Sequence, residues 1–135
     1  IEAIVDEFNP DLLCVDGFLE LRSVESGSDK NWQVMLDIAY GLKAIAQNKK
    51  IVVLVTSQAK RMNFEEKEAL RNMPGTEHNY GGDSLMQAAD IVVTMTDDDK
   101  EPNVRYISVP KRRGGKSYTK RMKLAFEVDI GKIGA

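Results

Sequence analysis

Asp16, Gln58, Lys111 and Arg113 are the side chains whose types and settings suit phosphoryl chemistry. Asp16 closes PDLLCVD (residues 10–16), an apolar run ending in a single carboxylate. Open α/β sheets bind ligands at the carboxyl ends of their strands, and in nucleotide hydrolases an aspartate there holds the Mg²⁺ of a bound triphosphate. Gln58 closes a second apolar run, IVVLVTSQ, where an amide can hydrogen-bond a γ-phosphate or an attacking water. Lys111, Arg112 and Arg113 stand together in VPKRRGGKS, and cations set against a phosphate stabilise the charge that spreads over its oxygens. Each feature also has a plainer reading. A strand-end aspartate caps loops, a glutamine starts a surface loop, and a run of cations is a solvated turn or a phosphate-backbone contact.

The elements that would position these residues follow from the hydrophobic pattern. Ile1, Ile4, Val5 and Phe8 have helical spacing, and Asn9-Pro10 ends that helix because the residue before proline avoids the helical region. Leu12–Val15 reads as a strand buried on both faces, since alternation is lost. Asp29 is placed to cap a long helix from about residue 30 to 47, whose Met35, Leu36, Ala39, Leu42, Ile45 and Ala46 keep the 3.6 period. Ile51–Val55 is a second apolar strand. Residues 59–83 are polar, charged and broken by Pro74, Gly75, Gly81 and Gly82; they read as a functional loop with room for a short helix near Phe64–Asn72. Ser84–Ala89 is a short helix and Ile91–Met95 a third strand. Val104–Val109 and Met122–Val128 alternate, and read as antiparallel strands joined by a basic turn, Lys111–Lys120. The order β-α-β-α-β followed by a hairpin predicts an α/β fold with an antiparallel extension.

Composition excludes several classes. With 135 residues, 42% apolar and 30% charged, this is one ordinary globular domain or part of one. The net charge of −2 gives no overall basic field, so any nucleic-acid contact must come from local patches. The single cysteine, Cys14, forms no internal disulfide and no zinc site; it reads as a small buried hydrophobe and fits a reducing cytoplasm. No stretch reaches the roughly 20 apolar residues of a membrane span, and no signal peptide is visible. His78, the only histidine, reads as solvated, and Trp32 as partly buried packing. Gly115-Lys116-Ser117 ends like a P-loop, but Pro110 stands where the first glycine is required and a strand, not a helix, follows.

In order along the chain, PDLLCVDGFLELRS, LKAIAQNKKIVVLVTSQAKR, GGDSLMQAADIVVTMTDD and VPKRRGGKSYTKRMKLAF resemble successive motifs of the DnaB-type hexameric replicative DNA helicases, whose motor is a RecA-like ATPase domain. The resemblance spans nearly the whole chain. It implies an α/β, RecA-like, mostly parallel sheet flanked by helices with a C-terminal antiparallel β-hairpin. It makes residues 1–135 the C-terminal portion of that domain, with the family's P-loop and catalytic glutamate upstream of Ile1. Asp16 would be the Walker B aspartate that holds Mg²⁺, and Gln58 would sense the γ-phosphate of ATP. Lys111 and Arg113 would reach the neighbouring subunit's ATP, with Arg113 as the arginine finger, so the partner is a further copy of the chain in a probable hexameric ring.

The loop 59–83 would line the ring's channel and track single-stranded DNA, with Lys60, Arg61 and Arg71 supplying charge. Tyr80-Gly81-Gly82-Asp83 stands where the family carries a charged pattern. Its glycines still offer backbone N–H groups to phosphate, and Tyr80 either stacks on a base or packs locally. Primase and loader proteins enter as further partners, in the cytoplasm of a bacterial or phage-infected cell, with no membrane role. The rival readings are a RecA-type recombinase or KaiC-like ATPase, and a non-catalytic binding module without a P-loop. On the resemblance, residues 1–135 by themselves neither bind ATP tightly nor hydrolyse it.

Overall fold

The computed structural model describes residues 1–21, 32–58, 84–98, 100–127 and 130–134. Helix α1 spans Glu2–Phe8 and stops at Asn9, which takes the left-handed conformation (φ 42°) and donates its N–H to the Val5 carbonyl at 2.9 Å. Asparagine tolerates this conformation better than most residues. Strand β1, Leu12–Val15, pairs in parallel with β2, Val52–Val55, in the register Leu12↔Val52 to Val15↔Val55. Between them runs α2, Trp32–Lys49, which ends as Lys50 turns to φ 54°. Lys49 in its last turn pairs with Asp6 of α1, a bond that raises the lysine's pKa. Helix α3 is Ser84–Ala88.

The described residues up to Ala89 form one compact unit and those from Asp90 onward a second. In the first, Phe18, fully buried, packs with Met35, Ala39, Leu42 and Ala88. Val15, Val53 and Val55 close this core from one face of the parallel pair. Side chains of this size contribute about 1.5–3 kcal/mol each when fully buried, which is what holds the strand ends against the helices. The 3.6 period correctly marks Met35, Ala39 and Leu42 as core; Val34 is also buried.

Three expectations from the sequence are corrected here. The continuous apolar runs of β1 and β2 predict burial on both faces, yet only alternate residues are covered: Leu12, Val52 and Leu54 are exposed. Cys14, which faces the same way, is exposed rather than a buried hydrophobe. Trp32, at the first turn of α2, is 68% exposed instead of partly buried packing. All three have one cause: among the described residues nothing packs on these surfaces.

The second unit is a four-stranded antiparallel sheet in the order β3-β4-β5-β6, with β3 Ile91–Asp97, β4 Val104–Arg112, β5 Tyr118–Glu127 and β6 Lys132–Gly134. The α/β class and the antiparallel C-terminal hairpin are as read from the sequence. The third strand, however, is hydrogen-bonded into the antiparallel sheet, and the hairpin strands run further into the basic segment than expected. Strand β6 has no counterpart in the sequence reading. Across β3 and β4 the hydroxyls of Thr94 and Ser108 lie 2.8 Å apart, which satisfies Ser108 although it is only 1% exposed. The β3–β4 turn is set by Asp98, whose Oδ1 accepts the N–H groups of Lys100 (2.8 Å) and Glu101 (2.9 Å). The Asp29 cap and the helix near 64–72 lie outside the described residues.

Candidate functional site

Parallel pairing in register brings the carboxyl ends of β1 and β2 side by side, so the residue after Val15 meets the residue after Val55. The Thr56 N–H donates to the Val15 carbonyl at 3.0 Å and extends the ladder by one step. Beyond it the chain turns sharply at Gly17, whose φ of 89° disfavours any side chain. The Phe18 N–H then returns to the Thr56 carbonyl at 2.9 Å, and Phe18 drops into the core. The turn is thus anchored from below by an aromatic side chain and laterally by β2.

This geometry places Asp16 at the mouth of an open cleft of about 300 Å³ lined by Asp16, Gly17, Phe18, Leu19, Glu20, Ser57 and Gln58. Asp16 and Gln58, expected to act together, do lie at adjacent strand ends and line one cleft. Two lining features escape a reading of the sequence alone. Glu20 enters through the 3-10 turn Phe18–Glu20. Thr56, beside the cleft, donates its hydroxyl to Asp16 Oδ1 at 2.6 Å and accepts the Gly17 N–H at 2.9 Å. Its signal is a hydroxyl two residues before Gln58, but only the strand register makes it a neighbour of Asp16.

The donor set suits a hard cation. Carboxylate, amide and hydroxyl oxygens are the ligands Mg²⁺ prefers, and Mg²⁺ is usually held by one or two carboxylates together with substrate phosphates. A site of that kind requires no dense ligand cluster, and among the described residues no group of three or more His, Cys, Asp or Glu side chains is arranged to hold a metal.

Lys111 and Arg113 belong to the second unit. Lys111 is not in a turn, as expected, but near the end of β4, opposite Val92, and is half-buried. Arg113 follows the strand and is exposed; its N–H donates to the Asp90 carbonyl at 2.7 Å, and its guanidinium lies 3.4 Å from the Asp90 carboxylate. Arg112 folds over Gly115 so closely that a Cβ there would fall 2.9 Å from the guanidinium Nε. The second glycine of KRRGGKS therefore makes room for the arginine rather than for a phosphate. Lys60, Arg61, Arg71, His78, Tyr80, Gly81 and Gly82 lie outside the described residues.

A parallel strand pair with polar side chains at its carboxyl ends, helices packed on one face and an antiparallel C-terminal sheet define a RecA-like α/β fold. The chain superposes on the ATPase domain of a DnaB-like helicase with a TM-score of 0.77 and 22% identity, over 98% of this chain and 48% of that one. It also superposes on a KaiC-like protein from the hyperthermophilic archaeon Pyrococcus horikoshii OT3, with a TM-score of 0.57 and 19% identity, over 98% of this chain and 50% of the other. The sequence matches no protein-family model and no curated protein. At these identities the likeness establishes the fold, and it agrees with the resemblance carried by the motifs. The chain spans about half the length of the solved structures it matches. No described helix is long and apolar enough to cross a membrane.

Proposed function

We propose that this chain is the C-terminal portion of a RecA-like ATPase domain in a DnaB-type DNA helicase, a ring that hydrolyses ATP and unwinds duplex DNA by moving along a single strand. The observation that carries the reading is the convergence of Asp16 and Gln58 on one cleft at the ends of paired parallel strands. In this reading Asp16 holds Mg²⁺, and Gln58 contacts the γ-phosphate or orients the attacking water. When bound, Mg²⁺ would supply neutralisation of the charge on the β- and γ-phosphate oxygens. Lys111 and Arg113 serve the ATP of the adjacent protomer in the ring, with Arg113 as the arginine finger. Exposure of Arg113 supports this role, because a finger must leave its own protomer's surface to reach another's nucleotide. Residues 59–83, including Lys60, Arg61, Arg71, Tyr80, Gly81 and Gly82, contact single-stranded DNA. Primase and loader proteins are the further partners, and the setting is the cytoplasm.

The likeness to a KaiC-like protein keeps a second reading in play, a RecA-like ATPase that is not a helicase. The test uses the parent protein: Mg²⁺-dependent ATP hydrolysis stimulated by single-stranded DNA, and unwinding of a forked duplex. Loss of both in Asp16→Asn is expected. Hydrolysis without unwinding favours the KaiC-like reading, and unchanged hydrolysis in Asp16→Asn removes the proposed role of Asp16.

A further inference from the structure

We infer that Thr56 is a positioning residue for Asp16, fixing the carboxylate that the proposed Mg²⁺ site depends on; the inference rests on that reading of the cleft. The Thr56 hydroxyl carries one proton, and the geometry leaves no choice about where it goes. The Gly17 N–H occupies an acceptor position on Oγ1 at 2.9 Å, and the O–H is then given to Asp16 Oδ1 at 2.6 Å. A 2.6 Å O–H···O⁻ contact is of the short, charge-assisted kind. Thr56 is β-branched, which limits its side-chain torsion. Its backbone is held on both sides, by N–H to Val15 and by carbonyl to Phe18. A rigid hydroxyl on β2 therefore sets the direction of a carboxylate on β1, and the same hydroxyl pins the left-handed Gly17 that starts the cleft wall.

Asp16 itself follows the last residue of β1, is exposed, and has Thr56 as its side-chain hydrogen-bond partner among the described residues. Without that bond the carboxylate is free to change rotamer. With it, Oδ1 is held and the second carboxylate oxygen keeps a constant orientation toward whatever enters the cleft. Partners of this kind, one bond removed from a metal, typically contribute 10–100-fold to metal affinity.

The test measures binding rather than turnover. Mn²⁺–ADP is titrated into the full-length parent protein and the bound fraction read by electron paramagnetic resonance. Thr56→Val keeps the branched shape and removes the hydroxyl; affinity is expected to fall by about tenfold. Thr56→Ser restores the hydroxyl and is expected to bind as the wild type does, a rescue that a purely packing role does not give. Where the valine variant does not fold by circular dichroism, Thr56→Ala takes its place. Wild-type affinity in a folded variant lacking the hydroxyl, with Asp16→Asn impaired, overturns the positioning role alone. Wild-type affinity in Asp16→Asn overturns the underlying reading of the cleft.

Discussion

Arg113 is tied to Asp90 twice, once through the backbone at 2.7 Å and once through the side chains at 3.4 Å. The two ties differ in kind. The backbone bond anchors the first residue after β4 whatever side chain stands there. The ion pair joins two groups that are each more than half exposed, and such pairs contribute only about 0–1 kcal/mol. The guanidinium is thus aimed but not locked. If it serves as an arginine finger, Arg113→Ala in the parent protein lowers kcat for ATP hydrolysis by about 10³–10⁵-fold while nucleotide binding persists. Steady-state hydrolysis together with binding of a fluorescent nucleotide checks this; unchanged turnover removes Arg113 from the mechanism. Asp90→Asn is expected to leave hydrolysis within a few-fold of wild type, because it loosens the aim without removing the charge.

The β3–β4 turn makes a pH-dependent prediction. The Lys100 N–H, and next to it the Glu101 N–H, hold the Asp98 carboxyl below the usual carboxylate range. A carboxyl with a lowered folded pKa contributes its stabilisation above the ordinary value near 4, and loses it as pH falls through the lower folded value. The amide resonances of Lys100 and Glu101 are therefore expected to titrate together with a midpoint below about 4. Asp98→Ala removes that titration. A midpoint at or above the ordinary value contradicts the capping role.

How much of this was legible beforehand differs residue by residue. Asp16 and Gln58 could be found because each ends an apolar run, and a strand's end is where an apolar pattern stops. Met35, Ala39 and Leu42 could be found because helical period and burial coincide. Thr56 could not, since its importance lies in facing Asp16 across a parallel pair 40 residues apart in sequence. Cys14 and Leu54 were misread for a related reason: an apolar run encodes a capacity for burial on both faces, and whether both are covered depends on what else packs there. The basic segment was cut too short as strand because Lys111 and Arg112 lack the alternating apolar signal, although the ladder to β3 carries them.

Phe18 links the cleft to the core, and its truncation separates fold from chemistry. It is fully buried, and its backbone N–H closes the turn after Asp16. Phe18→Ala leaves a cavity beneath that turn and is expected to cost about 3–5 kcal/mol. Against a typical domain stability of about 5–15 kcal/mol this is a large loss. Chemical denaturation of the parent protein measures it. A loss under about 1 kcal/mol shows that the site collapses around the void and that Phe18 is not the anchor described.

The last prediction concerns residues 1–135 as an isolated polypeptide. Nucleotide hydrolases of this class cradle the triphosphate with the backbone N–H groups and lysine of a P-loop. No G-x-x-x-x-G-K-[ST] occurs in these residues, since the near match at Gly115-Lys116-Ser117 has Pro110 at its first position and leads into β5. Asp16 and Gln58 offer one carboxylate and one amide to a ligand that carries about four negative charges, and a carboxylate without its metal repels it. The purified polypeptide is therefore expected to show no saturable ATP binding at micromolar concentration in equilibrium dialysis and no Mg²⁺-dependent phosphate release. Turnover above the level of an Asp16→Asn control means that these residues hold a complete site, and that the division of labour proposed for Asp16 and Arg113 is wrong.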